Sequence, residues 1–126
     1  MRDLSLLLLR LTFGGLMAIN HGYPKLMKLL GDGPIKFGDP IGIGVETSLY
    51  LVVFAELVCA ILIVIGLFTR FATIPLIITM FVAAFIVHWG DGFKEMEHAI
   101  LFLVSYIVLL REGAGSYSLD DSMWRL

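Results

Sequence analysis

The sequence predicts an all-α integral membrane protein, a four-helix bundle, from three observations. Of its 126 residues, 59% are hydrophobic and only 16% are charged, and the mean hydropathy is +0.93. Soluble domains carry about 25% charged residues, so this chain lacks the polar surface that a water-soluble fold needs. The hydrophobic residues fall into four long runs that are apolar nearly all round, whereas a soluble helix shows a single apolar stripe.

Each apolar run is predicted to be one membrane-spanning helix. A helix needs about 20 residues to cross the hydrocarbon core, and the first three runs reach that length directly. The fourth reaches it only if its polar opening, Glu95, Glu97 and His98, lies in its first turns. A polar loop, 24–45, and a polar tail, 112–126, complete a single domain. The predicted spans cover residues 4–23, 46–68, 70–89 and 95–111.

Turn-forming residues separate the predicted spans. Pro24 is expected to end the first span, because proline cannot extend the hydrogen-bond ladder of a helix. Lys25 and Lys28 then lie on the wet side of a short amphipathic turn. Residues 66–70 make a tight connection, and 90–92 separate the third and fourth spans.

Charge and cysteine content exclude several functions and indicate a location. A formal net charge of -2 gives nucleic-acid binding no electrostatic basis. The single cysteine, Cys59, excludes an internal disulfide and a CxxC redox pair. Four spans put both termini on one face of the cell membrane. Basic residues divide equally between the two faces, and the short connection and the tail favour cytoplasmic termini.

Two charged residues lie deep in the predicted spans, Arg10 in the first and Glu56 in the second. An ionisable group in a bilayer costs several kcal/mol unless it is paired or hydrated. With a rise of 1.5 Å per residue, the two backbone levels are expected to differ by about 8 Å. We therefore predict an Arg10–Glu56 pair that faces the bundle interior. It either fixes helix register or lets Glu56 handle protons or substrate.

A second polar group is expected at the membrane face opposite the termini. His21 ends the first span, His88 ends the third, and Glu97 and His98 open the fourth. Histidine and carboxylate together can bind a small molecule, relay protons or hold a metal ion. Plain interfacial polarity is an equally open interpretation. Because adjacent helical residues point about 100° apart, Glu97 and His98 cannot easily share one ion, and no metal ligand is assigned.

These residues belong to an ordered set of motifs that resembles the DoxX family of small four-helix membrane proteins. The resemblance covers essentially the whole chain and ends in a G-x-G-x-x-S-L-D sequence. The matching pieces are Arg10, the residues HGYPKL at 21–26, Glu56, GLFTR at 66–70, Ala84 with His88, EHAIL at 97–101 and GAGSYSLD at 113–120.

The resemblance implies a redox-related membrane protein, because relatives include a subunit of an archaeal thiosulfate:quinone oxidoreductase. The fold also resembles that of membrane proteins that reduce vitamin K quinones, but their paired cysteines are missing here. The expected ligand of the bundle is therefore a quinone or a small sulfur species, and the electron carrier would be a bound quinone or a soluble or membrane redox partner. The assigned site residues are Glu56, Arg10 and His88 as catalytic, and His21, Lys25, Glu97 and His98 as ligand-binding.

Two further hypotheses remain open. The protein is alternatively a non-enzymatic scaffold or assembly subunit in the lipid bilayer, docking soluble partners through the polar tail. Transport of a small solute would require a homo-oligomer, because four helices leave little room for a pathway.

Overall fold

The computed structural model describes residues 1–31 and 37–123, and over these ranges the chain folds into an antiparallel four-helix bundle. The all-α four-helix prediction is confirmed, and the described ranges contain no strand. Parts of the predicted loop and tail, 32–36 and 124–126, lie outside the described residues, as does the side chain of Glu95. The helices are α1 (Arg2–Leu30), α2 (Val45–Ile65), α3 (Thr69–Val87), α4 (Phe93–Glu112) and a short terminal α5 (Leu119–Met123).

Within the described residues, α1, α2 and α3 are long and apolar enough to cross a membrane. The helix α4 has 20 residues, but charged residues occupy both of its ends. It packs along α3 and also contacts α1, which closes the bundle. Its role as a fourth span stays a prediction, because its apolar middle alone is shorter than a bilayer requires.

Large apolar side chains cover the outer faces of the bundle, and small residues lie at several of its helix contacts. Ala60 and Ala99 are fully buried where helices meet, whereas Phe54, Phe71 and Ile78 are largely exposed on the outer faces. A water-soluble bundle carries polar side chains on its outer faces, while small residues at helix contacts are typical of membrane bundles. The exposed apolar belt is consistent with a surrounding lipid bilayer.

The first helix continues past the proline that was expected to end it. The stretch from Ala18 to Gly22 is a π-helical turn, and Pro24 lies in the first turn of the α-helical segment that follows. A proline is tolerated at this place because the N–H that it lacks would be poorly bonded there in any case. The prediction that Pro24 ends the helix is therefore wrong, and Lys25 and Lys28 belong to α1 itself.

Two glycines of α1 set its register against α2. A Cβ atom on Gly14 would lie 2.9 Å from Cγ2 of Val64, and one on Gly22 would overlap the backbone of Glu56, 2.6 Å from its carbonyl carbon. These close approaches place Gly22 level with Glu56 and Gly14 level with the turn of α2 around Val64.

A hydrogen bond closes the bundle between α4 and α1. The hydroxyl of Tyr106 donates to the carbonyl oxygen of Phe13 at 3.0 Å, and the ring of Phe102 packs edge-on against the ring of Phe13. Phe13 lies in a π-helical turn, Arg10–Gly14. Such a turn widens the helix and disturbs its regular hydrogen-bond ladder, which leaves this carbonyl available to the tyrosine.

Candidate functional site

The buried carboxylate of Glu56 is paired with Lys25. Glu56 is 2% exposed and lies in the π-helical turn Phe54–Cys59 of α2. The ammonium group of Lys25, on the continuation of α1, forms a salt bridge with Oε1 of Glu56. The side chain of Lys25 is 26% exposed, against 3% for Glu56. The pair therefore joins a buried acid to a cation that reaches the surface.

The predicted Arg10–Glu56 pair does not form. Gly22, not Arg10, lies level with Glu56. Arg10 precedes Gly22 by 12 positions, which corresponds to about 18 Å along a helix. Helical side chains also lean toward the N-terminus of their own helix, which directs Arg10 away from Glu56. The prediction was wrong because it took the spans to begin and end at matching levels, whereas the start of α1 extends well beyond the end of α2.

Arg10 instead binds the C-terminal tail. Its side chain is almost fully buried. Nη1 donates to the carbonyl oxygens of Ala114 at 3.1 Å and Tyr117 at 2.9 Å, and Nη2 donates to that of Tyr117 at 2.7 Å. Arg10 thus lies at the end of the bundle that carries both termini, and the other predicted site residues lie toward the opposite end.

The C-terminal motif, residues 113–120, is an anchor for the tail. The carboxylate of Asp120 accepts hydrogen bonds from the backbone N–H groups of Phe68 (2.7 Å) and Thr69 (2.9 Å) at the start of α3. Its own N–H donates to the carbonyl oxygen of Gly66 at 2.7 Å. A carboxylate in this position satisfies helix N–H groups that have no partner in the helix. We call residues 113–120 the C-terminal anchor.

A cavity of about 340 Å³ lies beside the Lys25–Glu56 pair. It is bounded by α2, by α3 and by the loop 37–44 that leads into α2. Its polar lining consists of Lys25, Glu56, Ser48, Thr79 and His88. The remaining lining is apolar or glycine: Phe37, Gly38, Pro40, Ile41, Ile43, Leu51, Val52, Ile78, Val82, Ala83 and Val87. Apolar walls with a few converging polar groups are typical of small-molecule sites.

The three histidines lie next to one another beside this cavity. The rings of His21 and His98 are stacked with centroids 5.8 Å apart, and the rings of His88 and His98 are 6.0 Å apart. His88 lines the cavity, whereas His98 is exposed on α4. We call these three residues the histidine row, since they lead from the cavity wall to the surface.

Glu97 does not join the other predicted residues. It is exposed on α4 and does not line the cavity. Among the described residues, no group of three or more histidine, cysteine, aspartate or glutamate side chains is arranged to hold a metal ion. Of the seven predicted site residues, the structure therefore groups five, Lys25, Glu56, His21, His88 and His98, and separates Arg10 and Glu97 from them.

Three π-helical turns adjoin the site, and sequence reasoning missed them. They cover Ala18–Gly22, which holds His21, Phe54–Cys59, which holds Glu56, and Ala83–Val87, which precedes His88. Such turns are frequent at functional sites because they redirect side chains and expose backbone groups. No residue type is characteristic of π-helical turns, so these turns could not be predicted from the sequence.

The loop over the cavity is a second feature that the sequence did not reveal. The carboxylate of Asp39 accepts hydrogen bonds from the N–H groups of Ile43 and Gly44, both at 2.9 Å, and from the hydroxyl of Ser48 at 3.0 Å. These bonds, above all the one from Gly44, lower the pKa of Asp39 below its ordinary value because they favour the charged form. Asp39 thus holds the loop against the start of α2.

Comparison with known proteins gives a family and two relatives. The family profile described as DoxX matches residues 5–89. A protein of Mycobacterium tuberculosis named as an uncharacterized membrane protein is 34% identical over 131 residues, covering 92% of this chain and 79% of the relative. An uncharacterized protein of Haemophilus influenzae is 30% identical over 70 residues, covering 52% of this chain and 46% of the relative. The chain thus spans just under half of the Haemophilus protein. No solved structure matches the chain significantly.

Proposed function

This chain belongs to the DoxX family of integral membrane proteins, and from that premise we propose that it is a small membrane subunit of a redox-related system that binds a quinone ring in the cavity beside Lys25 and Glu56. The observation that carries the proposal is the cavity itself. Its walls are mostly apolar, and they include a buried carboxylate and an ammonium group.

The pair suits a quinone ring because the ring presents carbonyl acceptors. The ammonium group of Lys25 has three donors, of which Glu56 engages one. A further donor can therefore reach a ring carbonyl without breaking the salt bridge. Glu56 keeps that cation in place and can hold a proton next to the ligand.

The histidine row supplies a route for protons in this proposal. A quinone that accepts two electrons also takes up two protons. Histidine exchanges protons near neutral pH, and the row connects the exposed ring of His98 to His88 in the cavity wall. Electrons would come from a partner protein, because the lone Cys59 cannot form a disulfide within the chain.

The geometry favours a neutral ring over an anionic sulfur species. An anion such as thiosulfate needs an uncompensated cation in its site. Lys25 is neutralised by Glu56, and Arg10 is engaged with the C-terminal anchor instead of the cavity. The carboxylate of Glu56 would also repel an anion at close range.

The scaffold hypothesis is not favoured, because its docking element is already occupied. The described part of the tail folds back on the bundle through Arg10, Gly66 and the start of α3. A segment committed to its own bundle in this way is poorly suited to recruit a soluble partner.

Equilibrium binding of a benzoquinone to the purified protein in phosphatidylcholine nanodiscs tests the proposal. We expect Lys25→Met to weaken binding about tenfold, since it removes a hydrogen bond from a charged donor. Glu56→Gln should weaken it by a similar factor, because a neutral amide holds the ammonium group of Lys25 less firmly than the carboxylate does. Glu97→Gln is the matched control, because it changes a carboxylate at the same membrane face that does not line the cavity, and its affinity should equal that of the unaltered protein. Absence of quinone binding, or equal affinities in Glu56→Gln and Glu97→Gln, would refute the proposed site.

A further inference from the structure

The wall of the cavity contains residues that also face outward from the bundle. Leu51 of α2 and Ile78 of α3 both line the cavity, yet they are 53% and 59% exposed. Val87, at the end of α3, lines it as well and is 49% exposed. Side chains that satisfy both conditions place this part of the cavity wall at the outer surface of the bundle. The cavity therefore opens sideways between α2 and α3.

This opening lies within the membrane-spanning segments. Ile78 is the middle residue of α3, which runs from Thr69 to Val87. Leu51 lies six residues after the start of α2, about 9 Å along the helix. The opening thus extends from the middle of the bilayer toward the face opposite the termini. In a membrane, lipid chains would surround this opening.

The end of the cavity nearest that membrane face is lined by apolar side chains, of which Ile41 and Ile43 are themselves exposed. Phe37, Ile41 and Ile43 of the loop 37–44 line the cavity there, and Asp39 fixes this loop through three hydrogen bonds. A hydrated solute approaching from water would meet these apolar side chains first. The residues named at the lateral opening, Leu51, Ile78 and Val87, are all apolar.

We propose that the ligand of this cavity enters from the bilayer and carries an apolar chain, which lies between α2 and α3 while the ring reaches Lys25 and Glu56. This inference rests on the proposed function and narrows its ligand to a neutral ring bearing a hydrocarbon chain. Leu51 and Ile78 form the two sides of the entrance and select for the chain.

A phospholipid does not meet the same requirements. Its phosphate is ionised and is held at the membrane surface, since moving a charge into the hydrocarbon core is costly. Glu56 lies near the middle of α2, which runs from Val45 to Ile65, and its carboxylate would repel the phosphate. A neutral ring on a chain can reach that depth without such a cost.

Substitutions at the entrance test this inference in phosphatidylcholine nanodiscs, with ligand concentration expressed per lipid. The probes are a benzoquinone ring and the same ring carrying a decyl chain. Ile78→Trp fills the entrance. Ile74→Trp is the matched control, because Ile74 lies one turn earlier on the same face of α3, is 45% exposed and does not line the cavity.

We expect the unaltered protein and Ile74→Trp to bind the decyl compound about tenfold more tightly than the bare ring. Ile78→Trp should abolish this preference and leave affinity for the bare ring within about twofold. Leu51→Trp, on the other side of the entrance, should behave in the same way, and circular dichroism verifies that each variant is folded.

Three results would overturn the inference. The chain adds no affinity in the unaltered protein, or Ile78→Trp and Ile74→Trp bind the decyl compound equally, or native mass spectrometry finds a phospholipid retained in the cavity and displaced by neither probe. Binding of the bare ring alone would leave the proposed function standing without this inference, whereas binding of neither probe would refute both.

Discussion

Two charged side chains, Arg10 and Glu56, are deeply buried among the described residues, and they are stabilised in different ways at the two ends of the α1–α2 contact. The guanidinium group of Arg10 donates to the backbone carbonyls of Ala114 and Tyr117, which belong to the C-terminal anchor. Glu56 relies on one flexible side chain, Lys25, at the edge of an open cavity.

This difference separates a structural charge from one that remains available to a ligand. Backbone carbonyls cannot leave Arg10 without unfolding the tail, so the guanidinium group is committed to the fold. The ammonium group of Lys25 can turn toward a new acceptor because its side chain is partly exposed. A charge buried in a membrane bundle is a candidate functional residue. Here the partner of each charge distinguishes a structural role, for Arg10, from availability to a ligand, for the Lys25–Glu56 pair.

The largest expected effect is the loss of stability in Arg10→Ala. The substitution leaves the carbonyl oxygens of Ala114 and Tyr117 without their charged donor and frees the tail, so the free energy of unfolding should fall by about 3 kcal/mol. Unfolding by SDS in mixed micelles, followed by circular dichroism, measures it. Arg111→Ala, which removes an exposed arginine side chain at the same end of the bundle, should cost less than about 0.5 kcal/mol. Equal stability of the two variants would contradict a structural role for Arg10.

A smaller loss is expected in Glu56→Gln. The carbonyl oxygen of glutamine can still accept a hydrogen bond from Lys25, and the lysine can reach water, so the free energy of unfolding should fall by only about 1 kcal/mol. The same mixed-micelle unfolding measures it. If Glu56→Gln cost as much stability as Arg10→Ala, the two charges would both be structural and the contrast between the two ends would fail.

The smallest expected effect is the contribution of Asp39 to the loss of folding stability at acid pH. Because folding lowers the pKa of Asp39, its contribution to stability is complete above its ordinary pKa of about 3.8 and is lost as the pH falls through the lower, folded value. Asp39→Asn should therefore show a shallower loss of stability as the pH falls below about 4, measured as the free energy of unfolding at each pH.

Ser48→Ala is the matched variant for Asp39. It removes one donor and keeps the N–H groups of Ile43 and Gly44, so it should retain most of the pH dependence. An Asp39→Asn variant with the same pH dependence as the unaltered protein would show that the loop is held by other contacts.

Composition and hydrophobic runs were enough to predict the fold class, because a chain with so few charges cannot cover itself with a polar surface. The register of α1 against α2 could not be predicted from the sequence. It depends on Gly14 and Gly22, whose close approach to α2 becomes visible only when the helices pack. The Arg10–Glu56 prediction failed on this point.

The sequence predicted most residues of the site, but not which of them contact one another. Lys25 and Glu56 were both singled out, but their pairing required α1 to continue through Pro24, and the π-helical turn that permits this has no signature in residue types. The C-terminal motif was noticed as a resemblance. Its role depends on backbone partners around residue 68, about 50 positions earlier in the chain, which no local pattern specifies.

The contact between Arg10 and the tail also has a consequence for biogenesis. A ribosome delivers the chain from its N-terminus, and the acceptors of Arg10 follow it by 104 and 107 residues. The first helix therefore meets the membrane carrying a charge whose partners have not yet been synthesised. During that interval the guanidinium group must stay hydrated or be sheltered by the insertion machinery, and only the arrival of the last segment makes the first one fully compatible with lipid.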